Sequence, residues 1–70
     1  MAVRLELKQW DKKSFRSLGS GHRVVVISGT VAIIFGEYNR LLRPGSGGFR
    51  VPSGVRYKLW AYEQSVVNVI

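Results

Sequence analysis

The stretch RVVVISGTVAIIF, residues 23–35, decides the fold class of this 70-residue chain. Residues 23–28 and 30–35 are apolar at consecutive positions and rich in β-branched side chains, which is typical of strands covered on both faces. Only Gly29 separates them, so the pattern predicts a central hairpin. Its outward faces carry apolar side chains that one small barrel cannot all enclose, namely Val25, Ile27, Ala32 and Ile34. We therefore expect a second subunit to cover them.

Further short strands flank this hairpin. Residues 3–8 and 55–62 alternate with a period of two, so each segment has one face for a core. Residues 38–43, 49–51 and 65–70 are also interpreted as strands, each bounded by turn residues. About seven short antiparallel strands and no convincing helix predict an all-β fold, a small barrel or sandwich.

The polar segment before the hairpin is interpreted as a loop. It covers residues 11–22, is basic, and contains the run Gly19-Ser20-Gly21. Phe15 and Leu18 lie three positions apart within it, a spacing that permits a short helical turn. Nothing resembling a linker interrupts the chain, so the sequence predicts one domain over residues 1–70.

The composition excludes several classes of function. The chain has no cysteine, which removes disulfides, Cys-ligated zinc and thiol nucleophiles, and its one histidine, His22, cannot form a histidine-rich metal site. No apolar run approaches the roughly 20 residues that span a bilayer, and the start lacks the apolar core of a signal peptide. We therefore expect a cytoplasmic protein with no membrane partner. A domain this small has a limited core, and here neither disulfides nor a metal site adds stability. We therefore also expect a homodimer or larger assembly.

The charge indicates an anionic partner. Eleven Lys and Arg residues against four Asp and Glu give a formal charge of +7. Since the bases are spread over both halves of the sequence, this charge belongs to the folded body rather than to a tail.

Two turn-rich segments resemble the characteristic motifs of the cupin superfamily. Residues 26–31, VISGTV, are similar to the end of the first motif. Leu42-Arg43-Pro44-Gly45, followed by FRVPSGVRY at residues 49–57, is similar to the second. The likeness runs from Val24 to Ile70, about two-thirds of the chain, and implies a cupin-like β-barrel of the jelly-roll type.

The metal ligands of cupin enzymes are largely missing from this sequence. In the family's register the glutamate position falls on His22, and the paired histidines fall in residues 15–18, which contain none. The histidine of the second motif is replaced by Tyr57, and its later asparagine by Ala61. The resemblance therefore implies a metal-free cupin with no cofactor.

Two metal-free groups within the superfamily are similar to this chain. One comprises small bacterial nucleoside phosphorylases that act on pyrimidine and purine nucleosides. The other is the cupin dimerisation domain of inner-kinetochore proteins, whose glycine-rich run resembles residues 47–57, GGFRVPSGVRY, with one residue missing after Gly48. The first likeness implies phosphorolysis, and the second implies self-association.

The outward positions of residues 55–62 form the main candidate ligand site. They are two bases and two aromatic residues, Arg56, Lys58, Trp60 and Tyr62. Such groups suit phosphate pairing and base stacking. Arg50, and either Arg40 or Arg43, are expected to extend this surface from neighbouring strands. A solvated outer face with Trp60 at a subunit interface is an equally good interpretation.

Two further sets of residues are weaker candidates. In the cupin register His22 and Tyr57 point into the barrel at the pocket mouth, where they could hydrogen-bond a small ligand. The alternative is a loop histidine and a core aromatic. Glycine runs at 19–21 and 45–48 could form anion-binding nests, although plain turns explain them more simply. Their charge would come from Lys12, Lys13, Arg16 or Arg23.

The sequence favours binding over catalysis. The four acidic residues form no carboxylate pair of the kind used in acid–base catalysis, and the sequence places no general base near a nucleophilic serine. No catalytic residue is therefore predicted. The first hypothesis is an oligomeric, non-enzymatic protein that binds an anionic small molecule, with a nucleotide or nucleotide signal as first choice. A nucleoside phosphorylase, with Arg50 or Arg56 at the phosphate, is the enzymatic alternative. Nucleic-acid binding and a protein-interaction or inhibitor module remain further alternatives.

Overall fold

A computed structural model gives the fold of the chain and describes residues 3–45 and 47–70. Over this part the chain is all-β, with eight strands and no helix. The strands are β1 Val3–Leu7, β2 Lys12–Arg16, β3 His22–Ser28, β4 Val31–Phe35, β5 Tyr38–Leu42, β6 Phe49–Val51, β7 Arg56–Ala61 and β8 Ser65–Val69. In the described residues, no helix has the length and apolarity needed to cross a bilayer.

Two antiparallel four-stranded sheets face each other. Sheet A has the order β1-β8-β3-β6, and sheet B has the order β2-β7-β4-β5. Only β4 and β5 follow each other along the chain and pair in the same sheet, across the turn Gly36-Glu37. All other connections cross between the sheets, as in a jelly roll. The predicted all-β jelly-roll class is confirmed, with eight strands rather than seven.

The predicted hairpin at residues 23–35 is wrong, because its two halves belong to different sheets. β3 pairs with β6 and β8, whereas β4 pairs with β5 and β7. The chain turns the corner at Gly29, which has φ of +87°. A β-carbon there would lie 2.5 Å from the backbone oxygen of Gln64. A hairpin glycine and a corner glycine both need positive φ, so local sequence does not distinguish them.

The core fills the space between the sheets with side chains from both, all of the buried ones aliphatic except Tyr57. Its buried members are Leu7, Val24, Val26, Val31, Ile33, Leu42, Val51, Tyr57, Leu59, Ala61, Val67 and Val69. The inward face predicted for residues 55–62 is confirmed, with Tyr57, Leu59 and Ala61 buried and Val55 half-buried.

The apolar outward residues of β3 and β4 lie on opposite sides of the molecule. Val25 and Ile27 belong to sheet A, and Ile34 belongs to sheet B. Ala32 is only 1% exposed within the single chain, where its direct cross-strand neighbours are Trp60 and Leu41. The expectation that Ala32 needs a second subunit for its cover is therefore wrong.

β2 lies inside the segment that the sequence predicts to be a loop. It pairs with β7 along its whole length. Phe15 is its one half-buried side chain and stacks on Tyr57 with ring centroids 5.6 Å apart. Because four of its five side chains are exposed, this edge strand carries no clear alternation of apolar and polar residues. The helical turn predicted from Phe15 and Leu18 does not form.

Candidate ligand-binding cleft

A cleft of about 540 Å³ lies on sheet B, where β2, β7 and β4 run side by side. Its lining is Ser14, Phe15, Arg16, Ile34, Phe35, Gly36, Arg56, Tyr57 and Lys58. All of these residues come from sheet B or from the turn that follows β4, and none comes from sheet A. The lining combines side chains of the outer face, such as Arg56 and Lys58, with Phe15 and Tyr57, which pack on the core side of sheet B.

Two arginines face each other directly across the strands that line this cleft. Arg16 of β2 is the register partner of Arg56 of β7, and both are exposed. In the next pair, Ser17 N–H donates to Val55 O at 3.0 Å. In an antiparallel ladder the pair beside a hydrogen-bonded one is the closely spaced, non-bonded kind. Like charges in such a pair repel, and an anion between them converts that repulsion into attraction.

Lys58 adds a third cation to the cleft. It lies two positions from Arg56 on the same outward face of β7, next to Ser14 of β2. Among the described residues that line the cleft, none is acidic. Glu37 follows Gly36 in the turn after β4, where its carboxylate is exposed. The lining therefore carries three positive charges and favours a negatively charged ligand.

The structure brings His22 and Tyr57 together behind this surface. His22 Nδ1 lies 2.8 Å from the Tyr57 hydroxyl, and the two rings meet edge-on at 84°. Tyr57 is only 1% exposed, and burial raises its pKa from 10.0 to about 12. The phenol therefore stays neutral at physiological pH and holds a hydrogen bond between the two sheets. Its ring offers little area to a ligand in the cleft.

Trp60 and Tyr62 belong to an aromatic cluster beside the cleft, outside its lining. Trp10 completes this cluster, with ring centroids 5.9 Å from Trp60 and from Tyr62. The Lys12 ammonium lies 4.6 Å from the centre of the Trp60 ring. Trp60 Nε1 is buried and has no hydrogen-bond partner among the described residues. The sequence pointed to Trp60 and Tyr62 but not to Trp10, which lies in a turn outside any alternating segment.

The remaining predicted arginines lie apart from the cleft. Arg23 and Arg50 are register partners on the outer face of sheet A, so Arg50 does not extend the β7 surface. The Arg40 guanidinium lies 5.9 Å from the centre of the Phe49 ring, at the edge where β5 meets β6. Arg43 directly follows β5. The arginine that does join Arg56 is Arg16, because β2 is a strand rather than a loop.

The glycine runs form turns at other places on the surface. Gly19 and Gly21 have positive φ in the turn before β3. A β-carbon on Gly21 would lie 2.5 Å from the backbone oxygen of Val51, so this turn packs against β6. Gly45, Gly47 and Gly48 also have positive φ, and Ser46 lies outside the described residues. None of the described residues of these two runs lines the cleft.

Metal-ligating side chains do not cluster in the described part of the chain. Over residues 3–45 and 47–70, no group of three or more His, Asp and Glu residues is close enough to share a metal ion. The four acids lie on separate elements: Glu6 on β1, Asp11 before β2, Glu37 after β4 and Glu63 after β7.

Comparison with known proteins supports the fold. No protein-family model and no curated protein matches the sequence. Among solved structures, Drosophila melanogaster CENP-C bound to CAL1 matches with a TM-score of 0.82 and 20% identity, over 100% of this chain and 60% of that one. A cupin-2 domain protein from Shewanella frigidimarina matches with a TM-score of 0.79 and 20% identity, over 97% of this chain and 65% of that one.

A further structure, the cupin domain of Drosophila melanogaster CENP-C, matches with a TM-score of 0.79 and 19% identity, over 100% of this chain and 59% of that one. The chain thus spans about three-fifths of the length of the solved domains it matches. It has the cupin fold, and the resemblance drawn from the sequence motifs is confirmed at the level of the fold.

Proposed function

We propose that this cupin-fold chain binds an anionic small molecule, with a nucleotide as the first choice, in the cleft on sheet B. The observation that carries the proposal is the direct opposition of Arg16 and Arg56, with Lys58 beside them and no acid in the described lining. Opposed cations destabilise a sheet unless an anion neutralises them. A phosphate between the two guanidinium groups accepts charge-assisted hydrogen bonds from both.

The dimensions of the cleft suit a mononucleotide. Its volume of about 540 Å³ lies within the usual range for small-molecule sites. With phosphate at Arg16 and Arg56, the next position along the sheet, roughly 6–7 Å away, is occupied by Ile34 and Lys58. That distance is short enough for the sugar or base of the same ligand to cover the Ile34 side chain.

Calorimetric titration with adenosine monophosphate, adenosine and inorganic phosphate tests this proposal. Arg16→Gln and Arg56→Gln are each expected to weaken binding of the monophosphate by about tenfold, because each removes one charge-assisted contact. Arg4→Gln is the matched control, since Arg4 is an exposed arginine opposite Asn68 in sheet A. Equal losses in all three variants, or no binding by any nucleotide tested, would refute a site at the cleft.

An assay for release of free base distinguishes ligand binding from catalysis. Incubation of the protein with nucleosides and phosphate is expected to release no free base, since no carboxylate or imidazole of the described residues lines the cleft. Release of base that Arg56→Gln abolishes would instead support the phosphorylase alternative.

Self-association is a second proposed function, supported by exposed apolar side chains on both outer faces. Ile27 on sheet A and Leu41 on sheet B are each more than 40% exposed, at 47% and 42%. One of the matching cupin domains was solved with a bound protein partner, CAL1. Sedimentation of wild-type protein, Ile27→Asp and Leu41→Asp over a range of concentrations distinguishes the two faces. A monomer at every concentration of the wild-type protein rules out self-association.

A further inference from the structure

The free edge of β2 carries backbone groups whose direction can be determined from the hydrogen bonds at its two ends. Before β2, Ala61 N–H donates to Asp11 O, and after it Ser17 N–H donates to Val55 O, each at 3.0 Å. Asp11 C=O and Ser17 N–H therefore point toward β7. The N–H and C=O of one peptide group point in opposite directions, so Lys12 N–H and Arg16 C=O point away from β7.

The period of two extends this assignment along the strand. Lys13 and Phe15 direct their backbone groups at Leu59 and Tyr57 of β7. Lys12, Ser14 and Arg16 direct their N–H and C=O groups to the other side. β2 is an edge strand of sheet B, with β7 as its one neighbour in the sheet, and four of its five side chains are exposed. The edge thus presents donors and acceptors in the spacing that a further antiparallel strand requires.

The charge of β2 selects what can pair with this edge. The strand contains three cations, Lys12, Lys13 and Arg16, and no acid. A second copy of β2 would bring cations opposite cations, which destabilises a strand pair. An acidic strand would instead gain cross-strand ion pairs with Lys12 and Arg16, which share the outer face. The residues before β2 add apolar area, because Trp10 is 57% exposed.

We propose that β2 is a docking edge for an extended acidic segment of a partner protein, which adds to sheet B as an antiparallel strand. Lys12, Ser14 and Arg16 share the outer face of the sheet and would form the hydrogen-bonded pairs with the segment. Its matching pattern is an acid, any residue, a small hydroxyl residue, any residue and a second acid, placing carboxylates opposite Arg16 and Lys12.

The edge shares Ser14 and Arg16 with the cleft lining, but Lys12 and Arg56 distinguish the two sites. Lys12 lies outside the cleft lining, and Arg56 lies one strand inward from the edge. Arg56→Gln is therefore expected to weaken nucleotide binding and to leave the segment bound. Lys12→Glu is expected to do the reverse.

The first experiment measures fluorescence anisotropy of a labelled nine-residue peptide with two glutamates flanking a central threonine at a spacing of two. Two N-methylated versions distinguish strand addition from attraction by charge alone. Methylation of the glutamate and threonine amides removes donors that face β2, and is expected to weaken binding by at least about tenfold. Methylation of the intervening amides leaves those donors in place and is expected to preserve binding. Equal affinities of both versions, or no binding of the parent peptide, would overturn the proposal.

Variants of the protein supply the complementary test. Ser14→Pro removes an edge donor that does not serve the pairing of β2 with β7, and it is expected to abolish binding, whereas Ser14→Ala preserves it. Lys12→Glu with Arg16→Glu should also abolish binding, with Arg4→Glu as the charge-matched control in sheet A. If Ser14→Pro does not fold, the charge reversals and the methylated peptides decide the matter. Unchanged peptide binding by the double charge reversal would contradict the acidic partner.

Discussion

The Tyr57 hydroxyl and His22 Nδ1 lie 2.8 Å apart and connect β7 of sheet B to β3 of sheet A. Apart from Tyr57, the buried members of the core between the sheets are aliphatic. The sequence resemblance to cupins predicts that these two positions correspond to metal ligands of cupin enzymes. In this chain the two side chains hydrogen-bond to each other, so a phenol and an imidazole connect the two sheets at this point.

Removing the Tyr57 hydroxyl is expected to lower stability. Tyr57→Phe keeps the ring and its stacking on Phe15 but loses the bond to His22, at a cost of about 1–2 kcal/mol in the free energy of unfolding. Urea unfolding at pH 7 measures the difference. Tyr62→Phe is the control, because its hydroxyl is on an exposed side chain and the change should cost less than about 0.5 kcal/mol.

The stability that Tyr57 provides is expected to disappear at high pH. Its pKa is raised by burial from 10.0 to about 12 in the folded chain, so the unfolded chain releases this proton first as the pH rises. The free energy of unfolding of the wild-type protein is therefore expected to fall, relative to that of Tyr57→Phe, as the pH rises from 10.0 to about 12. Unfolding of wild-type protein and Tyr57→Phe at several pH values isolates the effect, since all other groups are common. A constant difference from pH 8 to 12 would contradict the raised pKa.

The corner at Gly29 is expected to tolerate no side chain. Gly29→Ala places a β-carbon against Ser65 and Gln64 at φ of +87°, which is expected to cost about 3 kcal/mol or more. Gly36→Ala is the control, because Gly36 also has positive φ, +56°, but the added carbon would have no atom within 4 Å beyond its two chain neighbours. That change should cost only about 1 kcal/mol, the backbone penalty alone. Thermal unfolding measures the loss of stability in each variant. Gly29→Ala combines a steric clash with backbone strain, whereas Gly36→Ala has the backbone strain alone.

At position 10, the glycine variant is expected to be more stable than the alanine variant, the reverse of the usual order. It is the only non-glycine residue with positive φ in the described chain, at 71°, in a turn where Asp11 N–H donates to Lys8 O. Both Trp10→Gly and Trp10→Ala lose the contacts with Trp60 and Tyr62, but only glycine removes the backbone strain. Trp10→Gly should therefore be the more stable by about 1 kcal/mol.

The neighbouring residue Gln9 provides the reference for this comparison. Its φ is not positive, so Gln9→Ala should be more stable than Gln9→Gly by roughly 0.4–1 kcal/mol, through the entropy of the unfolded chain. The same order at both positions would show that the Trp10 backbone is not strained.

Several elements of the fold follow from local sequence. The inward and outward faces of β7 were predicted correctly, since Tyr57, Leu59 and Ala61 alternate with polar or aromatic residues along one strand. Cupin-like turn residues also indicated the jelly roll. These predictions succeed because burial of one face leaves a period of two in the sequence of the strand itself.

The candidate site was predicted only in part. The alternation of β7 predicts Arg56 and Lys58, but the sequence predicts a loop for Ser14 and Arg16 and the wrong surface for Arg50. β2 leaves little local signal because it buries only Phe15, and its position is determined by pairing with β7 about forty residues later in the chain.

The sequence by itself determined the all-β class, the buried face of β7 and the excess of positive charge. The tertiary structure alone decided that β3 and β4 belong to different sheets, that Arg16 lies opposite Arg56, and that the edge of β2 is open. The physical reason is the range of the interactions. Side-chain burial is recorded in the spacing of neighbouring residues, whereas strand pairing is set by the packing of the whole chain around its core.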